Sequence, residues 1–300
     1  MKRLLTKLQP YLFIAPAYIY MSVFLVVPFF LAIKLSFTHP IRSDIFPTLE
    51  TWHYVFRQTY FLDSVYLTSF YAVTTITLET ILGLFFAFIL NQKFRGRGFV
   101  RSIVLLPMGI PLMVAAASVI MLTADSGIIN GLIWDTLRLT GKPIGLSIGK
   151  LPVIVAEVWK MTPYCVIIIL AGLEGIPSSV YDAAKTLGAS TWQQFWKITL
   201  PMAWPAIMAA FVIRLSEVFK MLTFPLLLGK EGNEGVLSVW AYKMYFATKL
   251  SAQSMPQARA SAFALTMVGL AIAYLSVVWA AYWSFQKIKK RAGLREFARD

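Results

Sequence analysis

Residues 179–201 read SVYDAAKTLGASTWQQFWKITLP. Ser179 with Asp182 three residues on has capping-box spacing and predicts a helix from about Val180. Ala183, Ala184, Lys185 and Leu187 sustain that helix. Gly188 suits its left-handed C-terminal residue. Ser190 with Gln193 repeats the box and predicts a second short helix, ended by Pro201. Long apolar segments flank the pair on both sides. Two short helices hinged at Gly188 between membrane-length segments form a loop at the water surface, with a shape for docking. As a DNA-reading helix-turn-helix the stretch fails on charge, because Lys185 and Lys197 are its only basic residues.

Composition places the rest of the chain in a bilayer. Hydrophobic residues make up 58% of it, charged residues 14%, and the mean hydropathy is +0.67. A soluble domain carries about 25% charged residues. The class is an all-α polytopic transmembrane bundle. Apolar segments predict six spans, at about 11–36, 64–90, 99–123, 151–173, 202–228 and 260–285. The basic start followed by an apolar run resembles a signal peptide, with Ala15-Pro16-Ala17 as a cleavage site. The run continues well beyond a signal core, which predicts an uncleaved first span. Pro107 and Pro111 inside the third span predict a kink whose freed carbonyls a neighbour must satisfy. Phe37 to Asp63, Ala124 to Lys150 and Gly229 to Arg259 read as outer loops, with Trp240, Tyr242 and Tyr245 at the interface. The lone cysteine, Cys165, lies in an apolar run and reads as a small buried hydrophobe.

Orientation follows from the basic residues. With both termini in the cytoplasm, the inner segments hold fifteen Lys and Arg and the longer outer loops hold nine. That bias predicts an N-in, C-in topology with the hairpin on the cytoplasmic side. The net charge of +14 is then explained by small inner clusters, such as Lys287, Lys289, Lys290 and Arg291, and needs no nucleic acid.

At this point a family resemblance is visible. Asp182-Ala183-Ala184, Gly188-Ala189, Phe195, Ile198 and Leu200-Pro201 resemble the EAA loop of ABC importer permeases. The upstream run Ala171-Gly-Leu-Glu-Gly-Ile-Pro177 is similar to the carbohydrate-uptake branch. So are Pro10-Tyr-Leu-Phe-Ile-Ala-Pro16, Arg95-Gly-Arg-Gly-Phe, Leu105-Leu-Pro107 and Ala260-Ser-Ala262, which match the maltose-type inner-membrane permeases. The resemblance implies one permease transmembrane domain over residues 1–300, with its core at about 64–285. It implies a hairpin that inserts into a groove on a cytosolic ATPase through Asp182, Ala183, Ala184, Gly188 and Ala189. It also implies partners: a second permease subunit of a different chain, two ATPase subunits that hold the ATP and Mg, and an extracytoplasmic solute-binding protein, all in or at a bacterial cytoplasmic (inner) membrane. This chain has Asp182 where the family usually has Glu, and Gly229-Lys-Glu-Gly-Asn-Glu-Gly235 where the family often has a Gly-Gly-Pro turn.

Ionisable residues inside spans face a cavity or a partner. Glu79 lies deep in the second span, with no partner legible in the sequence. Glu157 and Lys160 are spaced i, i+3 on the fourth span, and Arg214, Glu217 and Lys220 are spaced i, i+3, i+6 on the fifth. Counted from the cytoplasmic ends, Lys160 and Arg214 lie at roughly 18–20 Å depth, and Glu157 and Glu217 at roughly 22–24 Å. Two readings stay open: an ion-pair lattice holding the spans together, and a polar solute cavity. The two rows hold three basic residues against two acidic, an excess that favours an acidic solute. Trp159, Tyr164, Phe211 and Phe219 are candidates for stacking on a sugar ring. Catalysis by this chain is not expected. No phosphate loop of the GxxxxGK[ST] type occurs, no serine-nucleophile motif occurs, and His39 and His53 form no metal cluster. The rival to an ABC permease is an ion-coupled secondary transporter working through Glu157, Lys160 and Glu217. Such folds usually carry internal repeats, and this chain has none.

Overall fold

Apolar segments in a bilayer must satisfy their backbone groups internally, which leaves the helix as the available structure. The computed structural model describes residues 2–124, 126–136, 149–229, 235–247 and 256–297, and no strand occurs among them. In chain order the helices are α1 (Lys2–Met21), α2 (Val27–Ser36), α3 (Glu50–Phe56), α4 (Phe61–Asn91), α5 (Arg97–Gly109), α6 (Leu112–Thr123), α7 (Ile128–Asn130), α8 (Lys150–Glu174), α9 (Ser178–Thr186), α10 (Thr191–Gln194), α11 (Leu200–Val218), α12 (Thr223–Leu228), α13 (Leu237–Ala247) and α14 (Pro256–Phe297). Among the described residues, six segments are long and apolar enough to cross a membrane: Phe13–Ser36, Phe61–Asn91, Leu112–Ile133, Lys150–Glu174, Thr191–Val218 and Pro256–Ser284.

The chain divides into two compact units. The first comprises Met1–Phe61 and Leu237–Val268. A π-helical turn at Ser22–Val26 joins α1 to α2. Aromatic packing dominates here. Tyr60 stacks on Trp240 with ring centroids 3.6 Å apart. The Arg259 guanidinium lies over Tyr54 at 4.4 Å and donates to the Pro40 carbonyl at 3.3 Å. Burial, reinforced by Tyr54 and opposed by Arg259, pushes the Tyr60 phenol up to about 12, so the stacked ring is neutral. Residues 237–247, expected as part of a loop, form α13. Trp240 is therefore packed against a neighbouring ring and not simply presented at a surface.

The second unit comprises Leu62–Val236 and Gly269–Asp300. One core joins α4, α8 and α11 through Ala87, Leu90, Val166, Ile169, Leu173, Ala203 and Ile207, with Cys165 fully buried among them. Small residues let these helices approach closely. A Cβ on Gly172 would sit 2.3 Å from the Ala206 Cβ, and one on Gly83 would sit 2.5 Å from the Cys165 Cβ. A second core sets Ala72, Ile76, Leu215, Val218 and Phe219 against Tyr274 and Leu275 of α14.

Two spans depart from expectation. The third is divided: α5 ends at Gly109, Ile110 and Pro111 are extended, and α6 starts afresh at Leu112 and ends at Thr123. Pro111 has no N–H for the α5 ladder, and its ring disfavours helical backbone at the residue before it. Residues 126–136, expected within a loop, are largely helical. The fifth span starts earlier than expected. Pro201 sits in the first turn of the α-helical stretch α11, directly after a π-helical turn. It therefore does not end the second short helix, which runs on through a π-helical turn at Phe195–Thr199 into the span. The span closes at Val218, and Thr223–Leu228 is a separate helix. Gly141 and most of the Gly229–Gly235 stretch lie outside the described residues.

Candidate functional site

The hairpin is built as two helices around a left-handed glycine. Gly188 has φ +76°, a conformation L side chains rarely adopt, and its amide closes the end of α9 on the Lys185 carbonyl. The Ser190–Gln193 capping box is complete: the Ser190 hydroxyl accepts from the Gln193 amide, and the Gln193 side chain accepts from the Ser190 amide. The expected Ser179–Asp182 box is not formed. The helix starts two residues earlier, at Ser178 behind Pro177, and no side chain caps it. Pro177 fixes the entry dihedral, so Ser179 falls inside the first turn and cannot act as cap. Asp182 instead points into solvent, with Lys185 at 3.6 Å. Leu187, Trp192 and Trp196 are exposed apolar side chains on the same hairpin, with Leu187 86% accessible. Ala183 and Ala189 lie near the surface, and Ala184 packs inward.

The hairpin is fixed to the bundle behind it. Tyr181 and Thr199 share a hydroxyl hydrogen bond of 3.1 Å across its two arms. Phe195 meets Phe88 of α4 edge to face at 5.0 Å. Arg97, at the start of α5, forms an ion pair with Glu174, the last residue of α8 before the hairpin. Between these elements lies a cavity of about 840 Å³, lined by both polar and apolar side chains.

Deeper in the second unit, the intramembrane charges assemble differently from the two rows expected. Arg214 is the centre. Its Nε donates to Glu79 at 2.8 Å, Nη2 to Glu79 at 3.2 Å and Glu157 at 3.0 Å, and Nη1 to Glu217 at 2.8 Å. Arg214, Glu79 and Glu157 are buried, and the Glu217 side chain is 45% exposed. Glu79, which had no partner in the sequence reading, is thus the bidentate partner of Arg214. Lys160 is not part of this node. Its ammonium donates to the carbonyls of Pro107 and Met108, at 2.7 and 2.8 Å, at the end of α5. These are the carbonyls released by the break, so the neighbour predicted to satisfy them is Lys160. Lys220 lies beyond the end of α11 and is exposed, so the expected i, i+3, i+6 row stops at Glu217. Trp159 is 40% accessible and Tyr164 half-buried. Phe219 is buried against Tyr274, and Phe211 packs on the same core. Those two rings are therefore packing residues here. With Lys220 outside α11 and Glu79 counted, the set is two basic residues, Lys160 and Arg214, against three acidic, Glu79, Glu157 and Glu217, and the cationic excess disappears.

The second unit thus holds a buried guanidinium shared by carboxylates from three helices, and a short hairpin with one complete capping box and a left-handed glycine. Residues 79–292 match the family described as the binding-protein-dependent transport system inner membrane component. The chain belongs to that family. It is a transport component of an inner membrane and not an enzyme, and the ion-gradient alternative is set aside. It is 31% identical over 247 residues to the trehalose/maltose transport system permease protein MalF of Thermococcus litoralis, covering 78% of this chain and 82% of that protein. It is 27% identical over 285 residues to the probable starch degradation products transport system permease protein AmyD of Thermoanaerobacterium thermosulfurigenes, covering 89% and 91%. The permease fold is also that of a solved bacterial ABC transporter involved in the import of the acidic polysaccharide alginate, with TM-score 0.77, 21% identity and coverage of 95% of this chain and 99% of that one.

Proposed function

We propose that this chain is the permease subunit of an ABC importer for a neutral sugar or sugar-like solute. It pairs with a second, different permease, docks two ATPase copies that hold the ATP and Mg, and receives solute from an extracytoplasmic binding protein. Both termini and the hairpin face the cytoplasm, in keeping with the distribution of basic residues. Asp182, Ala183, Gly188 and Ala189 form the ATPase-docking surface with the exposed Leu187, and the buried Ala184 packs behind it. Glu217 lines the solute path together with Trp159, and Lys220, past the end of α11, lies outside it. Beyond its contact with Arg214, the half-exposed Glu217 carboxylate needs water or a further polar partner on its open side, and lipid supplies neither.

The observation that carries the neutral solute is the saturation of Arg214. An anionic sugar needs an available cation. Arg214 is already shared by three carboxylates, and Lys160 is held by two carbonyls. Tyr164, Glu157, Arg214 and Lys160 then shape the path from behind, while Glu217 offers an acceptor to hydroxyl groups. The names of the relatives, which refer to trehalose, maltose and starch products, agree with this class. The test is uptake by the reconstituted complex, with its binding protein, of neutral disaccharides against the corresponding uronates. Preferred uptake of the uronates would overturn the neutral assignment. Copurification of the chain without any ATPase subunit would overturn the importer assignment itself.

A further inference from the structure

Two contacts lie at opposite ends of the same helix. At the hairpin end of α5, Arg97 is paired with Glu174 of α8. At its other end, the Pro107 and Met108 carbonyls are held by Lys160, also of α8. Between them, Val100 and Val104 pack on the core that contains Val166, Ile169 and Leu173. Helix α5 is thus fastened to α8 at both ends and along its length. Immediately beyond the second fastening, the chain leaves helical geometry: Ile110 has φ −81°, ψ 131° and Pro111 has φ −58°, ψ 143°. No helical hydrogen bond can be donated by Pro111 across that break.

We infer that α5 and α8 form one rigid arm that carries movement of the docking hairpin to the intramembrane charged node, with Ile110–Pro111 as the hinge at which α6 moves relative to it. Arg97, Glu174 and Lys160 are positioning residues of the transport cycle. The geometry gives the arm a direct route. Glu174 is separated from the first hairpin helix only by residues 175–177, and Lys160 is one helical turn from Glu157, which binds Arg214. The breakpoint is suited to a hinge because few residues there need to change dihedrals. The lysine holds these two carbonyls, the first of which also accepts from the Ile110 amide, whichever way α6 swings, since its partners belong to α5. The inference rests on the coupling role proposed for the hairpin.

The test uses the full complex in proteoliposomes with its ATPases, in a Cys165→Ser background. Spin labels are placed at exposed positions, with Ile103→Cys on α5 paired with Ile167→Cys on α8 to report on the arm. Ile103→Cys paired with Met121→Cys on α6 reports across the break. Inter-label distances are compared between the nucleotide-free and the ATP–vanadate-trapped complex. The expected result is an unchanged distance within the arm and a shifted distance across the break. Arg97→Glu should broaden the arm distribution and reduce the shift across the break, and Arg97→Glu with Glu174→Arg should restore both. An exposed ion pair contributes little to stability, so these variants should assemble. A within-arm shift as large as that across the break would overturn the inference, as would a constant distance across the break or failure of the charge swap to rescue. The coupling role fails separately: a complex with Gly188→Val and Asp182→Lys would then show the same vanadate-induced shift as the wild type.

Discussion

Replacing Arg214 with methionine preserves approximate length and removes the guanidinium. Four N–H···O contacts are lost at once, three of them to carboxylates that are almost fully buried. Removing one partner of a buried ion pair costs roughly 3–5 kcal/mol, mostly through the charge left behind. Here Glu79 and Glu157 are both left behind, whereas Glu217 is half in the open and adds about 0–1 kcal/mol. The expected loss therefore lies at the upper end, about 5 kcal/mol, or between three and four orders of magnitude in the folded ratio. Against a typical total of about 5–15 kcal/mol, that is enough to deplete the chain from the membrane. Adding Glu79→Gln and Glu157→Gln removes the stranded charges, and the triple variant should recover most of the loss. Arg214→Lys should fall between, because an ammonium cannot reproduce the bidentate contact with Glu79. The assay is the temperature at which half of the detergent-extracted complex ceases to elute as a single species, measured for all three. A wild-type midpoint for Arg214→Met, or a triple variant no better than the single, would refute the assignment of Arg214 as the charge centre of the bundle.

Other expectations follow from single contacts. Gly188→Val should cost roughly 1–2 kcal/mol in the hairpin through the left-handed backbone alone, since nothing lies within 4 Å of its Cβ direction. Solute-stimulated ATPase activity should fall while the complex remains folded, and unchanged stimulation would count against docking. Gly172→Leu acts by the opposite mechanism: it drives a side chain into Ala206 of α11 and should lower the thermal midpoint of the complex. Ser190→Ala should lose about 1 kcal/mol of cap and speed amide exchange in α10, whereas Ser179→Ala should leave α9 protection unchanged because that side chain caps nothing. A single cysteine at Ser190 or Gly96 should label only from the cytoplasmic side of intact cells; labelling from outside at Ser190 would reverse the proposed topology.

What the sequence determined by itself rests on short-range physics. Mean hydropathy and the length of the apolar runs required membrane-spanning helices. The Ser190–Gln193 box and the left-handed Gly188 are local geometry, legible because each needs only three or four neighbouring residues. The prolines of the third span announced that carbonyls would be left open. Proline at position 201 was ambiguous, since the same residue that blocks a helix interior is accommodated in a first turn, and only the continuation of the backbone through the π-helical turn distinguishes the two. Periodicity placed Glu157, Lys160, Arg214 and Glu217 on two helices, and the tertiary structure then decided their partners. Glu79 is 135 residues from Arg214 and on a third helix, so no spacing rule links them. Lys160 chose main-chain acceptors 52 and 53 residues away over the carboxylate one turn along its own helix. In a low-dielectric interior, an open carbonyl and a stranded charge are both costly, and which donor satisfies which acceptor depends on how helices cross. Crossing is set by small-residue contacts such as Gly172 with Ala206, which exist only once the bundle is packed.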